Sequence, residues 1–203
     1  MDNQEVVKQD SKLGKFLTRR NIVIFFIMVI ILEVIWSFWV FFKPEQLNFG
    51  LKNETILKPN SIKLTSAQKS LKVGEKVTVG IGIVANSHTD GADIIISFDP
   101  KLLSVETVDG KPVKVGTIYD DYPQNVLDEK LGVISFSGVS SQPYGIETNG
   151  FMGTINFIAK AAGVAKISVD HTPGLTSDSN LTQTKTAQDI LEEVVNLELN
   201  IVP

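Results

Sequence analysis

Residues 92–110 read ADIIISFDPKLLSVETVDG and carry the local signals that decide the fold of this chain. Large apolar side chains recur at every second position, at Ile94, Ile96 and Phe98, which is typical of a β-strand with one buried face. Proline has no N–H to donate to a strand ladder and restricts the residue before it, so the strand must end at Asp99-Pro100. The stretch therefore predicts one strand, a corner and the start of a second strand.

The corner predicts a structural role for each residue around it. The carboxylate of Asp99 is expected to accept hydrogen bonds from backbone N–H groups of the turn. Phe98, Leu102 and Leu103 continue the apolar pattern on both sides of the corner, so we expect all three in the core.

Alternation of this kind recurs along residues 61–203 in short runs that end at Gly, Pro, Asn or Asp. Such spacing predicts an all-β domain, an antiparallel, jelly-roll-like β-sandwich of about nine strands. The nine runs are 61–74, 75–86, 91–100, 102–110, 111–119, 131–140, 150–163, 164–174 and 194–203.

Three features depart from simple alternation. Gly80 and Gly82 lie within the second run and predict a bulge or a close approach of backbone. The polar stretch 170–184 predicts a long connection. Residues 186–195 fit either a helical turn or a strand.

One long apolar stretch, Ile22–Phe42, contains a single charged residue, Glu33, in 21 residues. As a helix rising about 1.5 Å per residue it spans roughly the 30 Å hydrocarbon core of a bilayer. No small-x-small cleavage site follows it, so we predict an uncleaved signal anchor. Glu33 is either a contact to a partner helix or a protonated carboxyl that an apolar helix tolerates.

The basic residues around this stretch predict its orientation. Only Lys43 follows the stretch closely, so the positive-inside rule places the N-terminus in the cytoplasm and the C-terminal domain outside the cell. The predicted organisation is a basic cytoplasmic tail over 1–20, a transmembrane anchor over 21–42, an extracytoplasmic tether over 43–60 and a β-sandwich over 61–203. The basic residues before the stretch are Lys8, Lys12, Lys15, Arg19 and Arg20.

Composition excludes several classes of function. The chain has no cysteine, which excludes disulfides and thiolate chemistry. Residues 61–203 contain 11 lysines, no arginine and 17 acidic residues, a net charge of −6, so nucleic acid is not a predicted partner. His88 and His171 stand in predicted loops without metal-ligand spacing, and no nucleophile motif such as G-x-S-x-G is present. We therefore predict a protein that is not an enzyme and binds no cofactor.

The motif YDDYP, Tyr119–Pro123, pairs two carboxylates with two aromatic rings. It leaves three interpretations open: an exposed acidic loop, calcium ligation through Asp120 or Asp121, and part of a glycan-binding surface. Adjacent aspartates in a strand point to opposite faces, which favours the exposed loop. Calcium ligation would raise the melting temperature when Ca²⁺ is present.

Five segments, taken in order, resemble the cohesin family of bacterial β-sandwich modules. The resemblance covers nearly all of residues 61–203 and implies a fold of the carbohydrate-binding type. It also implies attachment of dockerin-bearing proteins at the cell surface and a link to polysaccharide degradation. The segments are VGEKVTV at 73–79, IIISFDPKLL at 94–103, ISF at 134–136, NGFMGTINFIAK at 149–160 and GVAKISV at 163–169.

The same resemblance implies where a protein partner binds. Cohesins receive dockerins on one sheet face, and Asp93 matches a characteristic hydrogen-bonding aspartate of that face. Gly91 stands where the family has a polar Asn, and the run that begins at Ser137 and Gly138 stands where the family has an acidic residue. These four positions are the predicted partner-binding residues.

Direct polysaccharide binding is the alternative function. Relatives with this fold stack a planar strip of aromatic rings on sugar faces, and both tryptophans of this chain lie in the predicted membrane span. The predicted platform is therefore Tyr119, Tyr122 and Tyr144. It requires that the three rings lie coplanar on one exposed face.

Overall fold

The computed structural model of the chain describes residues 28–33 and 59–203. Residues 28–33, which include Glu33, are helical. Across these two described ranges, no helix has the length and apolar character needed to span a membrane. Most of the predicted anchor, the cytoplasmic tail and nearly all of the tether lie outside the described residues, so the predictions made for them stay predictions.

Residues 59–203 fold into strands joined by turns and loops, as the alternation predicts. The strands are β1 (Ser61–Ser66), β2 (Ser70–Lys72), β3 (Lys76–Phe98), β4 (Leu103–Glu106), β5 (Val113–Val115), β6 (Asp121–Asp128), β7 (Val133–Val139), β8 (Ile146–Ala159), β9 (Gly163–Val169), β10 (Asn180–Gln183), β11 (Glu193–Val195) and β12 (Leu197–Val202).

The long strand β3 belongs to both layers of the sandwich. Its N-terminal half pairs with β1 and β8, and its C-terminal half pairs with β7, β9 and β10. Sheet A therefore has the order β11-β1-β3-β8, with β4 and β5 on the far side of β8. Sheet B has the order β6-β7-β3-β9-β12-β2, with β10 beside β3 in line with β9.

The crossing point of β3 differs from the sequence prediction. We expected separate strands over 75–86 and 91–100 with His88 in a loop between them, and this expectation is wrong. Pairing with β8 continues through His88 and Thr89, opposite Glu147 and Ile146, after a register shift that follows Val84. Because β8 supplies partners for this polar segment, its backbone stays extended.

The core lies between the two layers and is filled by the alternate residues of the strands. Phe98 contacts Phe157 edge-on, with ring centroids 5.3 Å apart and planes at 74°. Burial of a large apolar side chain stabilises the fold by roughly 1.5–3 kcal/mol. The largest fully buried side chains are Phe136, Phe157, Ile62, Leu64, Leu71, Ile81, Ile83, Ile94, Ile96, Leu103, Ile134 and Met152.

The corner after β3 has the predicted form. Asp99 Oδ1 accepts a hydrogen bond from the backbone N–H of Lys101 at 2.8 Å. The Asp99 carbonyl oxygen accepts two more, from the N–H groups of Leu102 and Leu103. Phe98 and Leu103 are buried, and Leu102 packs against the core. The predicted roles of all these residues are confirmed.

The glycine pair in β3 also behaves as predicted. The register of β3 against β8 shifts between Ile81 and Gly82, which is the expected bulge. A Cβ on Gly80 would lie 2.9 Å from the ring of Phe151, so a larger residue there requires the ring to move. Absence of a side chain at Gly80 thus allows an aromatic ring to lie against the backbone.

Two strands fall where the sequence predicts connections. β6 includes Pro123 at a register shift between Asp121 and Gln124, the place in an edge strand where proline is tolerated. β10 lies inside the polar stretch 170–184. Residues 186–195 contain no helix, and their C-terminal part is the strand β11.

Candidate partner-binding face

The outer face of sheet B is an extended surface, because the strand register aligns outward side chains in rows. The rows run from β6 across β7 to β3 and, in two cases, onto β10 or β9. From β6 outward they are Gln124–Ser137–Asp93–Asn180, Val126–Ser135–Ile95 and Asp128–Val133–Ser97–Ser168.

Asp93 occupies the centre of this face. Its neighbours Ala92 and Ile94 point into the core and are 3% and 1% exposed, so alternation directs Asp93 outward. Its Oδ2 accepts a hydrogen bond from Asn180 Nδ2 at 3.3 Å. Asp93 remains exposed, and a carboxylate oxygen has more than one acceptor position, so a partner can donate to it.

Ser137 lies beside Asp93 on the same face. Its hydroxyl donates to Gln124 Oε1 at 3.1 Å, and its side chain is 5% exposed. The central row is therefore a polar strip in which Asp93 carries the only charge.

The two glycines of the predicted site differ in orientation. Gly138 alternates with Ser137 and faces the core, where a Cβ would lie 2.5 Å from the Tyr119 ring and 2.8 Å from Met152 Cε. Its prediction as a surface contact is wrong, since strand alternation places it inside. Gly91 faces outward but is buried beside Val139, and a Cβ there would meet the carbonyl oxygen of Gly138 at 2.9 Å. The face accommodates glycine at position 91 more readily than the family's polar Asn.

Apolar side chains border the polar strip. Val126 on β6 is 57% exposed and Val139 on β7 is 39% exposed, and Ile95 on β3, in the same row as Val126, is half-buried. Recognition surfaces of proteins commonly combine such apolar contacts with a few polar groups. The face has this composition.

The predicted tyrosine platform does not form. Tyr119 is 4% exposed, and its hydroxyl lies 2.8 Å from Thr89 Oγ1 inside the domain. Burial raises the pKa of the Tyr119 phenol. Tyr122 stacks on the buried ring of Phe136 at 5.3 Å and 9°, whereas Tyr144 is 71% exposed. A buried ring cannot stack on a sugar, so the prediction fails at Tyr119.

The two aspartates of YDDYP have separate roles. Asp120 Oδ2 accepts hydrogen bonds from the N–H and hydroxyl of Ser141, both at 3.0 Å, and from Ser140 Oγ at 3.4 Å. These bonds lower the pKa of the Asp120 carboxyl. Asp121 Oδ1 accepts from the N–H of Tyr122 at the start of β6.

No arrangement typical of a metal site accompanies these aspartates. Within residues 28–33 and 59–203, no group of three or more His, Cys, Asp or Glu residues could hold a metal ion. Calcium ligation through Asp120 or Asp121 stays a prediction. His171 lies in the loop after β9, as expected, and His88 lies in β3.

Sequence reasoning missed the side chains that β6 and β10 bring to the face. Gln124, Val126 and Asn180 come from segments whose polar composition resembles a loop. The only sequence signal for β10 is Leu181, a single apolar residue that is fully buried between two polar ones. One such residue does not distinguish a strand from a connection.

The chain belongs to the cohesin family: its residues 61–194 match the Cohesin domain. Cohesin domains are binding modules without catalytic activity, in agreement with the prediction that this chain is not an enzyme. No curated protein is significantly similar to the chain in sequence.

Solved cohesin structures share the fold. A type II cohesin domain from the cellulosome of Acetivibrio cellulolyticus is 20% identical, with a TM-score of 0.59 over 70% of this chain and 96% of that one. The type II cohesin dyad from the adaptor ScaA scaffoldin of the same organism is 21% identical, with a TM-score of 0.58 over 70% of this chain. The match spans about half, 49%, of the dyad.

A third similar structure contains a cohesin with its partner. It is a type II Cohesin–X-Dockerin complex from Acetivibrio cellulolyticus, an N-terminal interface mutant, 14% identical with a TM-score of 0.56 over 70% of this chain and 99% of that one. Identities this low show a common fold, and they confirm the predicted all-β cohesin-type sandwich.

Proposed function

We propose that this chain is a membrane-anchored cohesin module that holds dockerin-bearing proteins at the extracytoplasmic surface of the cell. The observation that carries the proposal is the outer face of sheet B, where Asp93 projects from the centre of a polar strip bordered by Val126 and Ile95. The similar cohesin that is solved with an X-dockerin supports the choice of partner.

Anchoring is a separate part of the proposal and rests on the sequence. The apolar stretch Ile22–Phe42 is long enough to span a bilayer, and basic residues precede it. The domain over 61–203 would then face the outside of the cell on a tether. Attachment of polysaccharide-degrading proteins at the surface is the role that fits such an arrangement.

Binding to dockerins tests the function. Residues 59–203 are presented to the dockerin domains encoded in the same genome, with the ScaA X-dockerin of Acetivibrio cellulolyticus as a reference, and affinities are measured by calorimetry. We expect at least one dockerin to bind. Asp93→Ala should weaken that binding about 10- to 150-fold, because a hydrogen bond to a charged group contributes roughly 1.5–3 kcal/mol.

Glu147→Ala serves as the control, since Glu147 is an exposed strand carboxylate on β8, in sheet A. It should leave the affinity unchanged. Binding by no dockerin would contradict the proposal, and equal effects of the two substitutions would contradict the role of Asp93. A glycan array probed in parallel tests direct polysaccharide binding, which the burial of Tyr119 disfavours.

A further inference from the structure

The outer face of sheet B carries its charges in two separate regions. The strands β6 and β7 and the C-terminal half of β3 contain no lysine or arginine, and their outward carboxylates include Asp93 and Asp128. Lysines lie towards the other edge, at Lys166 on β9, at Lys72 on β2 and at Lys69 just before β2. The face therefore has an acidic end and a basic end.

The basic end is concave. A groove of about 560 Å³ lies along β9 and β12. Its floor is the backbone of β12, whose apolar side chains point into the core. Residues lining it are Lys69, Val164, Lys166, Asn196, Leu197, Glu198, Leu199 and Asn200.

The lysines of the groove are available to a ligand. Glu198 stands directly opposite Lys166 in the register of β9 and β12, yet the two form no ion pair. In residues 59–203 the single ion pair is Lys76–Glu106, so neither Lys69 nor Lys166 forms an ion pair with a carboxylate of that range.

The groove and Asp93 lie within reach of one partner. Ser168 pairs with Ser97, so the outward residues of β9 share the face of Asp93. The register of β9 against β3 places Lys166 level with position 99, six residues along the strand direction from Asp93. At 3.3 Å per residue, Asp93 and Lys166 are therefore about 20 Å apart. A standard interface covers about 800 Å² per partner, roughly 30 Å across, so a single partner covers both.

We propose that the groove of Lys69 and Lys166 receives an acidic segment of the same dockerin-type protein that contacts Asp93. This inference rests on the proposed function and adds the chemistry and orientation of the partner. Because like charges at an interface repel, the separated charges favour one orientation, with the acidic segment over the lysines and a donor group over Asp93. The charge distribution of the face then determines the orientation in which the dockerin binds.

Charge reversal tests the inference. The groove variant carries Lys69→Glu and Lys166→Glu, which change the net charge by −4. The control variant carries Lys111→Glu and Lys114→Glu, which change it by the same amount. Both control lysines are exposed; Lys114 is in β5, in sheet A, and Lys111 lies just before it. Binding of the dockerin domain identified by calorimetry is followed by stopped flow at low and high salt. The groove variant should associate at least about tenfold more slowly at low salt, and the difference should shrink at high salt. The control should stay within about twofold of the parent.

Cross-linking tests the orientation independently. The chain has no cysteine, so a photoactivatable label on Val164→Cys is unique; Val164 lies in the groove and is 64% exposed. The labelled peptide of the dockerin should be acidic. A label on Val126→Cys, at the other end of the face, should mark a different peptide.

The outcomes separate the two proposals. If the groove and control variants associate with the dockerin at equal rates while Asp93→Ala still weakens binding, the groove does not bind an acidic segment. The proposed function would still stand. A non-acidic peptide at Val164→Cys would also overturn it, as would a cross-link to a second copy of this chain. Absence of dockerin binding would overturn both proposals.

Discussion

At the scale of single residues, Asp99 connects the sequence signal to the fold most directly. Its carboxylate accepts a hydrogen bond from the N–H of Lys101, and its carbonyl oxygen accepts hydrogen bonds from the N–H groups of Leu102 and Leu103. Proline at the next position prevents continuation of β3, and Asp99 closes the turn that proline begins. Both effects act within a few residues, which is why the sequence predicts them.

Asp99→Ala should reduce the free energy of unfolding of residues 59–203 by about 1 kcal/mol, since it removes one hydrogen bond at an exposed turn. Urea denaturation measures the change. Asp99→Asn is the matched control, because its amide oxygen still accepts from Lys101, and it should cost less than half as much. Unchanged stability of the alanine variant would contradict the role assigned to Asp99.

Asp120 predicts a dependence of stability on pH. Hydrogen bonds from Ser141 and Ser140 lower the pKa of the folded carboxyl below its ordinary value of 3.8. The contribution of Asp120 is therefore complete above the pKa of the unfolded chain and is lost as the pH falls through the lower, folded value. Asp120→Asn should lower the melting temperature at pH 7 and have little effect near about pH 2.

The parent chain and the Asp120→Asn variant also test calcium ligation. If Asp120 binds Ca²⁺, added calcium should raise the melting temperature of the parent more than that of Asp120→Asn. Identical melting curves in calcium and in chelator would remove the calcium hypothesis. If Asp120→Asn lowers the melting temperature equally at pH 7 and near about pH 2, the role assigned to the hydrogen-bonded Asp120 carboxylate is contradicted.

At the scale of elements, β3 holds the two layers together at Thr89. This residue is fully buried at the crossing point, and its hydroxyl lies 2.8 Å from Tyr119 Oη and 2.6 Å from Thr148 Oγ1. Three polar side chains thus satisfy one another inside the sandwich. Hydrogen bonding of buried hydroxyls offsets the cost of removing them from water.

Thr89→Val should lower the free energy of unfolding by about 1–3 kcal/mol, because valine keeps the shape of the side chain but removes the hydroxyl that bonds to both Tyr119 and Thr148. Denaturant unfolding of the parent, Thr89→Val, Tyr119→Phe and the double variant forms a cycle. We expect a coupling energy of at least about 0.5 kcal/mol between the two sites. Additive effects would show that the two side chains do not act as one network.

The sequence predicts some elements better than others for a physical reason. Strands with one fully buried face, such as β7, show clear alternation because burial selects apolar side chains at every second position. β6 pairs with a single neighbour and places exposed residues at five of its eight positions, so the selection is weaker. The extended backbone at His88 depends on β8, more than 50 residues away, which no local pattern reveals.

At the scale of the whole molecule, the predicted arrangement places an anchor and a binding domain in one chain. The full chain expressed in a bacterium should remain in the membrane fraction after a carbonate wash. A variant without residues 1–42 should be recovered in the soluble fraction, because the apolar stretch is gone. Western blotting of the two fractions measures the partition.

Orientation has its own readout. Protease added to intact protoplasts should remove the domain over 61–203 and spare the tail over 1–20, as the positive-inside rule requires. Recovery of the full chain in the soluble fraction would contradict the anchor. Protection of the domain in intact protoplasts, with digestion after lysis, would contradict the orientation.

The sequence by itself determined the fold class and the corner at Asp99, because each follows from side-chain alternation or from the chemistry of a few adjacent residues. Asp93 was predicted from the resemblance to cohesins. Only the tertiary structure decided which outward residues share a surface. Strand order and register unite Asp93 with Asn180 and the groove at Lys166, turn Gly138 inward and bury Tyr119. Those relationships depend on which strands pair and in what register. The strands involved are far apart in the chain, so local sequence patterns do not reveal how they pair.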